Sequence, residues 1–345
     1  MWFLLSLCAL IFWSGSDFFS KLGSHPRDKY SHWKMVMAVG LVMGLHAAYE
    51  MIFGGIDVTF VDILKYLPAS ALYIGSMVLG YVGLRYIELS VSSPICNCSG
   101  ALAAVFCFIF LQELPTALGF VGVAFIAVGL VSLGWVEWHE SDEEKDIRRA
   151  EGIKYSRSVL ALALPLLYCL LDALGTFIDA VILREEETET FLDFIHTLGE
   201  EVANVCYELT FLAMGVFAAI YVFVIKKQRL IPEEDILADN DVTKGEGEVN
   251  AKHHLVRHEL PKLAGGVCET IGQFAYVFAL ADTEHVGFSA AIISSYCAAS
   301  VLLSRLFLKD KLSKWHYAAI AIAFIGIVVL GISDPEARPR NAGAQ

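Results

Sequence analysis

SVSSPICNCSGALAAVFCFIFLQELPTALGFVGVAFIAVGLVSLGW, residues Ser90 to Trp135, is the stretch that decides the fold of this chain. It is an apolar hairpin, and it recurs without a gap 197 positions later as GFSAAIISSYCAASVLLSRLFLKDKLSKWHYAAIAIAFIGIVVLGI, residues Gly287 to Ile332. The overlay pairs Ser92 with Ser289, Ile95 with Ile292, Ala101 with Ala298, Phe110-Leu111 with Phe307-Leu308, Ala124 with Ala321 and Val131 with Val328. Apolar stretches share letters easily, so the punctuation carries more weight. Glu113 falls on Asp310 between the two runs, and Gly129 and Leu133-Gly134 fall on Gly326 and Leu330-Gly331 within the second. An internal repeat constrains the architecture before any single element does.

Composition places the repeat in a membrane. Of 345 residues, 56% are hydrophobic and only 18% charged, where a soluble domain has about a quarter charged. Crossing a bilayer takes roughly 20 apolar residues, and the chain supplies ten such runs, near 2–22, 34–53, 66–86, 90–111, 115–136, 158–183, 203–225, 261–281, 286–307 and 314–332. Backbone groups in hydrocarbon must be bonded within their own segment, and the runs lack the alternation of a barrel. An all-α membrane protein of ten transmembrane helices follows. The net charge of −13 sits in loops, chiefly Glu137–Glu151, Glu185–Glu201 and Glu233–Glu259, which describes wetted surfaces and gives no footprint for nucleic acid.

The charged linker 138–157 divides the chain into an N-terminal five-helix repeat, 1–137, and a C-terminal one, 158–333. The second repeat carries a polar loop at 226–260, and a hydrophilic tail occupies 334–345. The loop lacks periodicity and reads as disordered; its His253, His254 and His258 have no structured neighbours to complete a metal site. All eight cysteines lie in or beside apolar runs and read as small buried hydrophobes. Cys96 and Cys98 point about 200° apart on one helix, a spacing unsuited to a shared metal.

The chemistry lies in polar residues inside the runs. Asp17 sits deep in the first, and an ionised carboxylate there costs several kcal/mol, on the order of 3, unless it faces a partner or a wet cavity. The third run is expected to start after Pro68 and places Tyr73 and Ser76 on one face. The fourth carries Asn97. The sixth presents Asp172, Gly175, Thr176 and Asp179 at i, i+3, i+4 and i+7, a polar stripe along an apolar rod. Tyr168 to Asp172 matches Trp13 to Asp17, so the first acid of each half lies at comparable depth. Glu208 falls near the start of the seventh run, where it can snorkel to water. Glu269 and Gln273 share a face of the eighth, and Ser295-Tyr296 of the ninth lie at the depth of Asn97.

Two five-helix halves, Trp13-Ser-Gly-Ser-Asp17 with Lys21, the polar turns Leu111-Gln-Glu113 and Leu308-Lys-Asp310, and a glycine-rich last helix in each copy resemble the drug/metabolite transporter superfamily, EamA-like branch. The resemblance implies repeats inverted about the membrane plane, with spans one to four of each half lining a central cavity. Spans five and ten then stand at the periphery, at a homodimer contact. An odd number of helices per repeat requires opposite insertion on its own account. Cargo in that superfamily spans amino acids, metabolites, nucleotide sugars and drugs.

Placed on this chain, the cavity would collect Asp17, Tyr73, Ser76, Asn97, Asp172, Thr176, Asp179, Glu269, Gln273, Ser295 and Tyr296. Four are acids and none is basic, so the expected cargo is a cation or zwitterion, or else cargo binding is coupled to a proton held by a carboxyl group. Asp172 is the first candidate for the proton or cation site and Asp17 the second; each could instead make a structural bond across a helix interface. The expected function is a secondary-active transporter working by alternating access on a small metabolite, amino acid or cationic compound, with no metal or cofactor. The rivals are a membrane enzyme and a non-transporting sensor or scaffold. No loop holds a nucleophile–base pair, and a scaffold has no need of acids at matching depths in both halves.

Lysine and arginine gather on the side of the first turn, at Lys21, Arg27, Lys29, Lys34, Arg85, Lys145 to Arg157, Lys226 to Lys262 and Lys309 to Lys314. The positive-inside rule then puts both termini outside the cytoplasm, in the plasma (inner) membrane, whereas members of the resembled family commonly keep them inside.

Overall fold

The computed structural model describes residues 1–23, 28, 30–83, 96–111, 116–138, 159–183, 198–230, 255–282, 285–303, 306–307 and 313–333. Among them there is no strand. The helices are α1 (Trp2–Gly23), α2 (Ser31–Tyr49), α3 (Phe60–Gly83), α4 (Ser99–Phe110), α5 (Ala117–Trp138), α6 (Val159–Ile182), α7 (Glu200–Ala219), α8 (Leu260–Leu280), α9 (Val286–Ser294), α10 (Tyr296–Leu303) and α11 (Lys314–Ser333). Eight spans are long and apolar enough to cross a bilayer, with α9 and α10 counting as one. Ser99–Phe110 and Lys314–Leu330 are shorter apolar helices. The linker 139–157, most of the polar loop (231–254), the tail and the turns after Leu111 and Phe307 lie outside the described residues.

Local chemistry moves one expected boundary. The third helix starts at Phe60 and encloses Pro68. Its start is fixed by a capping box: Thr59 N and Oγ1 donate to Asp62 Oδ2 at 3.0 and 2.6 Å, and Asp62 N donates back to Thr59 Oγ1 at 3.3 Å. Two orphan amides at the helix end are thereby satisfied, which outweighs the bond that Pro68 cannot make. Pro165 is likewise enclosed by α6, whereas Pro261 stands in the first turn of α8, where its missing N–H costs nothing. Past Tyr49, α2 continues through the wider π turns Glu50–Gly54 and stops at Gly55, whose φ of 72° suits a residue without a β-carbon.

Five packing pairs that join the two halves are α1 with α8, α2 with α7, α3 with α6, α4 with α9, and α5 with α11. Exchanging every span with the one five spans further along returns the same set of pairs. Each pair is antiparallel, as the contacts of its small residues show. Gly15 meets Cys268 and Gly272 meets Trp13; Gly40 meets Gly215 and Gly44 meets Leu212; Gly80 meets Tyr168 and Gly175 meets Tyr73; Gly100 meets Ser294 and Gly287 meets Phe108; Gly122 meets Leu330 and Gly129 meets Ala323. Lipid tails offer no hydrophobic gain to helix association, so close backbone approach at small residues is what holds such pairs.

The hairpin at Ser90–Trp135 and its repeat are each interrupted once, at matching places. The ninth span is interrupted at Ser295, whose ψ is 0°, and Ala298 N bonds Ser295 O three residues back. The fourth is interrupted at Cys98, with ψ −10°, after a helical Cys96-Asn97. Cys98 and Ser295 stand 197 positions apart, the offset of the sequence repeat.

Candidate functional site

The two interruptions face a cavity with about 1190 Å³ of atom-free space, its open mouth included. From α1 it is lined by Trp13, Ser16, Asp17, Ser20 and Lys21, from α3 by Tyr73, Met77 and Gly80, and around the first interruption by Cys96, Asn97, Ser99 and Gly100. The other half supplies Tyr168, Asp172 and Thr176 from α6, Tyr207 from α7, and Glu269, Gln273 and Tyr276 from α8. Ala290, Ile293, Ser294 and Tyr296 complete the wall around the second interruption. α2, α5 and α11 contribute none of these residues.

Helix direction explains which ends reach the cavity. Lining residues extend to Lys21 near the end of α1, Gly80 near the end of α3 and Cys96 ahead of α4, so the cavity runs toward the face where the chain turns from α1 into α2. Toward the opposite face the helices close. Trp2 stacks on His285 with ring centroids 4.8 Å apart, and Tyr66 OH donates to Asp179 Oδ1 at 2.6 Å.

The cavity brings together Asp17, Tyr73, Asn97, Asp172, Thr176, Glu269, Gln273 and Tyr296 of the residues singled out in the sequence. Trp13 with Asp17 and Tyr168 with Asp172, the two matched segments, both lie on it. Three expectations need correction. Ser295 is buried in the interruption with its Oγ 3.3 Å from Ala291 O, and its neighbour Ser294 takes the lining position. Ser76 and Asp179, both fully buried, stand behind the wall. Lys21 lies on the cavity, so the lining is not purely acidic; a turn beyond Asp17 on the same helix face, it interacts electrostatically with that carboxylate.

Each acid is held differently. Asp172 accepts from Ser99 Oγ at 2.7 Å and from Ser76 Oγ at 3.2 Å, which aims its carboxylate between α3 and α4. Glu269 is within electrostatic reach of both Asp17 and Asp172, so the three carboxylates share one field. Asp179, behind them, is bonded by tyrosines. Besides Tyr66, Tyr73 OH lies 3.3 Å from its Oδ2, and Tyr73 OH in turn contacts Tyr276 OH. Tyr276 OH lies 2.8 Å from Thr176 Oγ1, which lies 3.0 Å from the Asp172 carbonyl oxygen.

Among the described residues, two donors on the cavity have no partner: Trp13 Nε1 and Gln273 Nε2. Gln273 is 3% exposed, and burying an amide N–H without a partner costs about 1–3 kcal/mol. The aromatic residues Trp13, Tyr168, Tyr207 and Tyr276 are also on this wall. In the sequence they look like the other aromatics of an apolar run; only the place of Tyr168 opposite Trp13 in the repeat marks one of them.

Glu208 is also placed differently from the sequence reading. α7 begins at Glu200, so Glu208 lies two turns inside, and it is 0% exposed. It is held by His46 Nδ1, 2.8 and 2.9 Å from its two oxygens, and by Asn204 Nδ2 at 3.1 Å.

An α-helical integral membrane protein with a cavity between its two halves, largely apolar and aromatic but carrying three carboxylates, is the class that this geometry defines. Within that class, residues 1–135 match the EamA-like transporter family of the drug/metabolite transporter superfamily, a family of membrane transporters. Comparison with curated proteins finds no match. Among solved structures, one crystal structure of a protein aligns over 98% of this chain and 99% of its own with a TM-score of 0.60 at 14% identity, a likeness of fold alone.

Proposed function

We propose that the protein is a secondary-active transporter that carries a small zwitterion or amine, of the size of an amino acid, by alternating access. The observation that carries this reading is the pairing, on one cavity, of three carboxylates with two donors that have no partner among the described residues: Asp17, Asp172 and Glu269, with Trp13 Nε1 one turn along α1 from Asp17 and Gln273 Nε2 one turn along α8 from Glu269. Carboxylates hold an ammonium group. Unsatisfied N–H groups and Lys21 suit a carboxylate or carbonyl oxygen, because a cargo lacking such an acceptor leaves them unpaired.

The architecture supports the mechanism. Discontinuous helices at mid-membrane are a recurrent way of exposing backbone groups to cargo, and Cys98 and Ser295 interrupt two spans beside the cavity. The helix pairs keep their identity when the halves are exchanged, and α2·α7, α4·α9 and α5·α11 each pair a span with its own counterpart in antiparallel fashion. Such self-pairing fits a twofold axis in the membrane plane, that is, ten spans as two inverted repeats. Rocking one repeat against the other would then close the present mouth and open the far side.

The basic residues place the α1–α2 turn in the cytoplasm and both termini outside, so the described conformation opens inward. Asp172, gripped by two serines from opposite sides, is the cargo's ammonium site, with Asp17 and Glu269 contributing field.

The test is counterflow in proteoliposomes loaded in turn with amino acids, primary amines and dicarboxylates. Zwitterions or amines should exchange and dicarboxylates should not. Exchange of dicarboxylates alone, or of nothing across the panel, would overturn the reading. Labelling of terminal cysteine tags in intact cells by an impermeant reagent checks the orientation; labelling only after lysis would reverse it.

A further inference from the structure

Asp179 touches no part of the cavity, yet three hydroxyls connect it to the wall. Tyr73, Tyr276 and Thr176 all line the cavity, and the chain runs Asp179 Oδ2, Tyr73 OH, Tyr276 OH, Thr176 Oγ1, Asp172 carbonyl oxygen, with contacts at 3.3 Å for the first, 2.8 Å for the third and 3.0 Å for the last. That makes four contacts, each needing one proton, and the three hydroxyls supply three. All four are hydrogen bonds only when Asp179 itself brings the fourth proton and every donor points toward Asp172. With Asp179 ionised one of the four contacts lacks a proton, and the arrangement that can pass a proton inward has Thr176 donating to Tyr276, Tyr276 to Tyr73 and Tyr73 to Asp179, with the carbonyl of Asp172 left without its side-chain donor. Tyr66 donates to Asp179 Oδ1 in both states.

We propose that Asp179 is a proton-storage site of the transporter, filled and emptied from the cavity through the hydroxyls of Thr176, Tyr276 and Tyr73. A proton from cavity water binds Thr176 Oγ1, whose own proton passes to Tyr276; Tyr276 passes one to Tyr73, and Tyr73 passes one to Asp179. The carboxylate is neutralised, one proton leaves the water, and the three hydroxyls end reversed with no heavy atom displaced. Thr176 Oγ1 accepts from Tyr276 only while Asp179 is protonated, so cargo that donates to Thr176 Oγ1 favours the ionised state, which links proton and cargo.

The surroundings of Asp179 are consistent with storage of a proton and not of a metal or ammonium ion. Its ionisable neighbours are Tyr66 and Tyr73 from α3, Tyr276 from α8 and, one layer further, Tyr207 from α7. Cys107 of α4 and Cys206 of α7 belong to the same buried cluster, and Asp172 lies two turns away on α6. Among the described residues none of the partners of Asp179 is a cation. The site is 0% exposed, and among the described residues aromatic hydroxyls are its only side-chain ligands.

This inference rests on the transport reading of the cavity, so the test avoids cargo altogether. Infrared difference spectra of the purified full chain, recorded between alkaline and acid buffer, read protonated carboxyl groups directly. The wild type should show a carboxyl carbonyl band that Asp179→Asn removes. Should that variant fail to fold, Tyr276→Phe interrupts the chain while leaving the Tyr66 bond intact; the band should then persist but exchange with D₂O more slowly than in the wild type. A spectrum unchanged by Asp179→Asn, or exchange equally fast in Tyr276→Phe, overturns the proposal. If the band behaves as expected while counterflow finds no cargo, the proton site stands and the transport reading falls.

Discussion

Gly129 of α5 packs on Ala323 of α11, and Gly326 of α11 packs on Ile126 of α5; each contact becomes the other when both numbers are shifted by 197 and the helices exchanged. The match of Gly129 with Gly326 was the kind of punctuation that raised the repeat above chance. The structure gives that match a cause. A β-carbon on Gly129 would lie 2.7 Å from the Ala323 nitrogen, and one on Gly326 2.7 Å from the Gly122 carbonyl oxygen. Backbone cannot rotate aside as a side chain does, so the helix pair itself would have to separate.

Gly129→Ala and Gly326→Ala are therefore each expected to destabilise the protein by about 1–3 kcal/mol, the cost of forcing atoms into a packed contact. The double substitution should cost less than the sum, because one separation of α5 from α11 relieves both clashes. Thermal unfolding in detergent measures this. Gly75→Ala serves as the control: its β-carbon would meet only Leu171 Cδ1 at 3.8 Å, so the better helix propensity of alanine decides and stability should hold or rise. A fall at Gly75 as large as at Gly129 would refute the packing argument.

What the sequence revealed and what it hid divide along physical lines. The apolar spans were legible because the bilayer imposes length and hydropathy on every crossing segment. Asp17, Asp172 and Glu269 were legible because a charge in an apolar run is costly unless it is used. Tyr276 carries a hydroxyl whose partners, Tyr73 and Thr176, lie on other helices, and an aromatic ring reads as lipid-compatible whichever way it points. Glu208 was misjudged for the same reason: its partner His46 is 162 positions away, and neither residue announces the other. Ser294 and Ser295 are adjacent in sequence and differ only in which side of the interruption they occupy.

Replacing Asp172 by asparagine keeps its shape and an oxygen for Ser99 to donate to, but removes the charge. An amine or zwitterionic cargo then loses an ion pair in a partly enclosed site, worth about 2 kcal/mol, which weakens binding roughly thirtyfold. Maximal rate should suffer less than apparent affinity, since the loss is in cargo binding. Equal apparent affinity for amines in wild type and Asp172→Asn would remove Asp172 from the ammonium site.

Trp13→Phe and Gln273→Leu test the other end of the cargo. Each deletes a donor that has no partner among the described residues; Gln273→Leu should leave the unliganded protein as stable as the wild type or more so, whereas Trp13→Phe also gives up the indole's contact with Gly272 and should cost some stability. Binding of a zwitterion should weaken about fivefold per substitution, the worth of about 1 kcal/mol for one hydrogen bond. The same substitutions should leave the matching decarboxylated amine unaffected. If both probes weaken alike in competition counterflow, the donors do not read the carboxylate.

The His46–Glu208 pair lies apart from the cavity, between α2 and α7, and predicts an effect on stability and not on cargo. Glu208 is fully buried, and His46 binds both of its oxygens while its Nε2 lies 3.6 Å from Glu50. His46→Leu would strand the carboxylate with Asn204 as its remaining donor, and an uncompensated buried charge costs about 3–5 kcal/mol; the 30% exposure of the His46 side chain puts the expected loss at the lower end, about 3 kcal/mol. Adding Glu208→Leu removes the stranded charge as well, so the double variant His46→Leu, Glu208→Leu should recover much of the melting temperature lost by the single one. A double variant less stable than His46→Leu alone would mean that Glu208 contributes through its bond to Asn204 and not through the pair. Counterflow by the double variant should keep the wild-type order of cargo preference, because neither side chain touches the cavity wall.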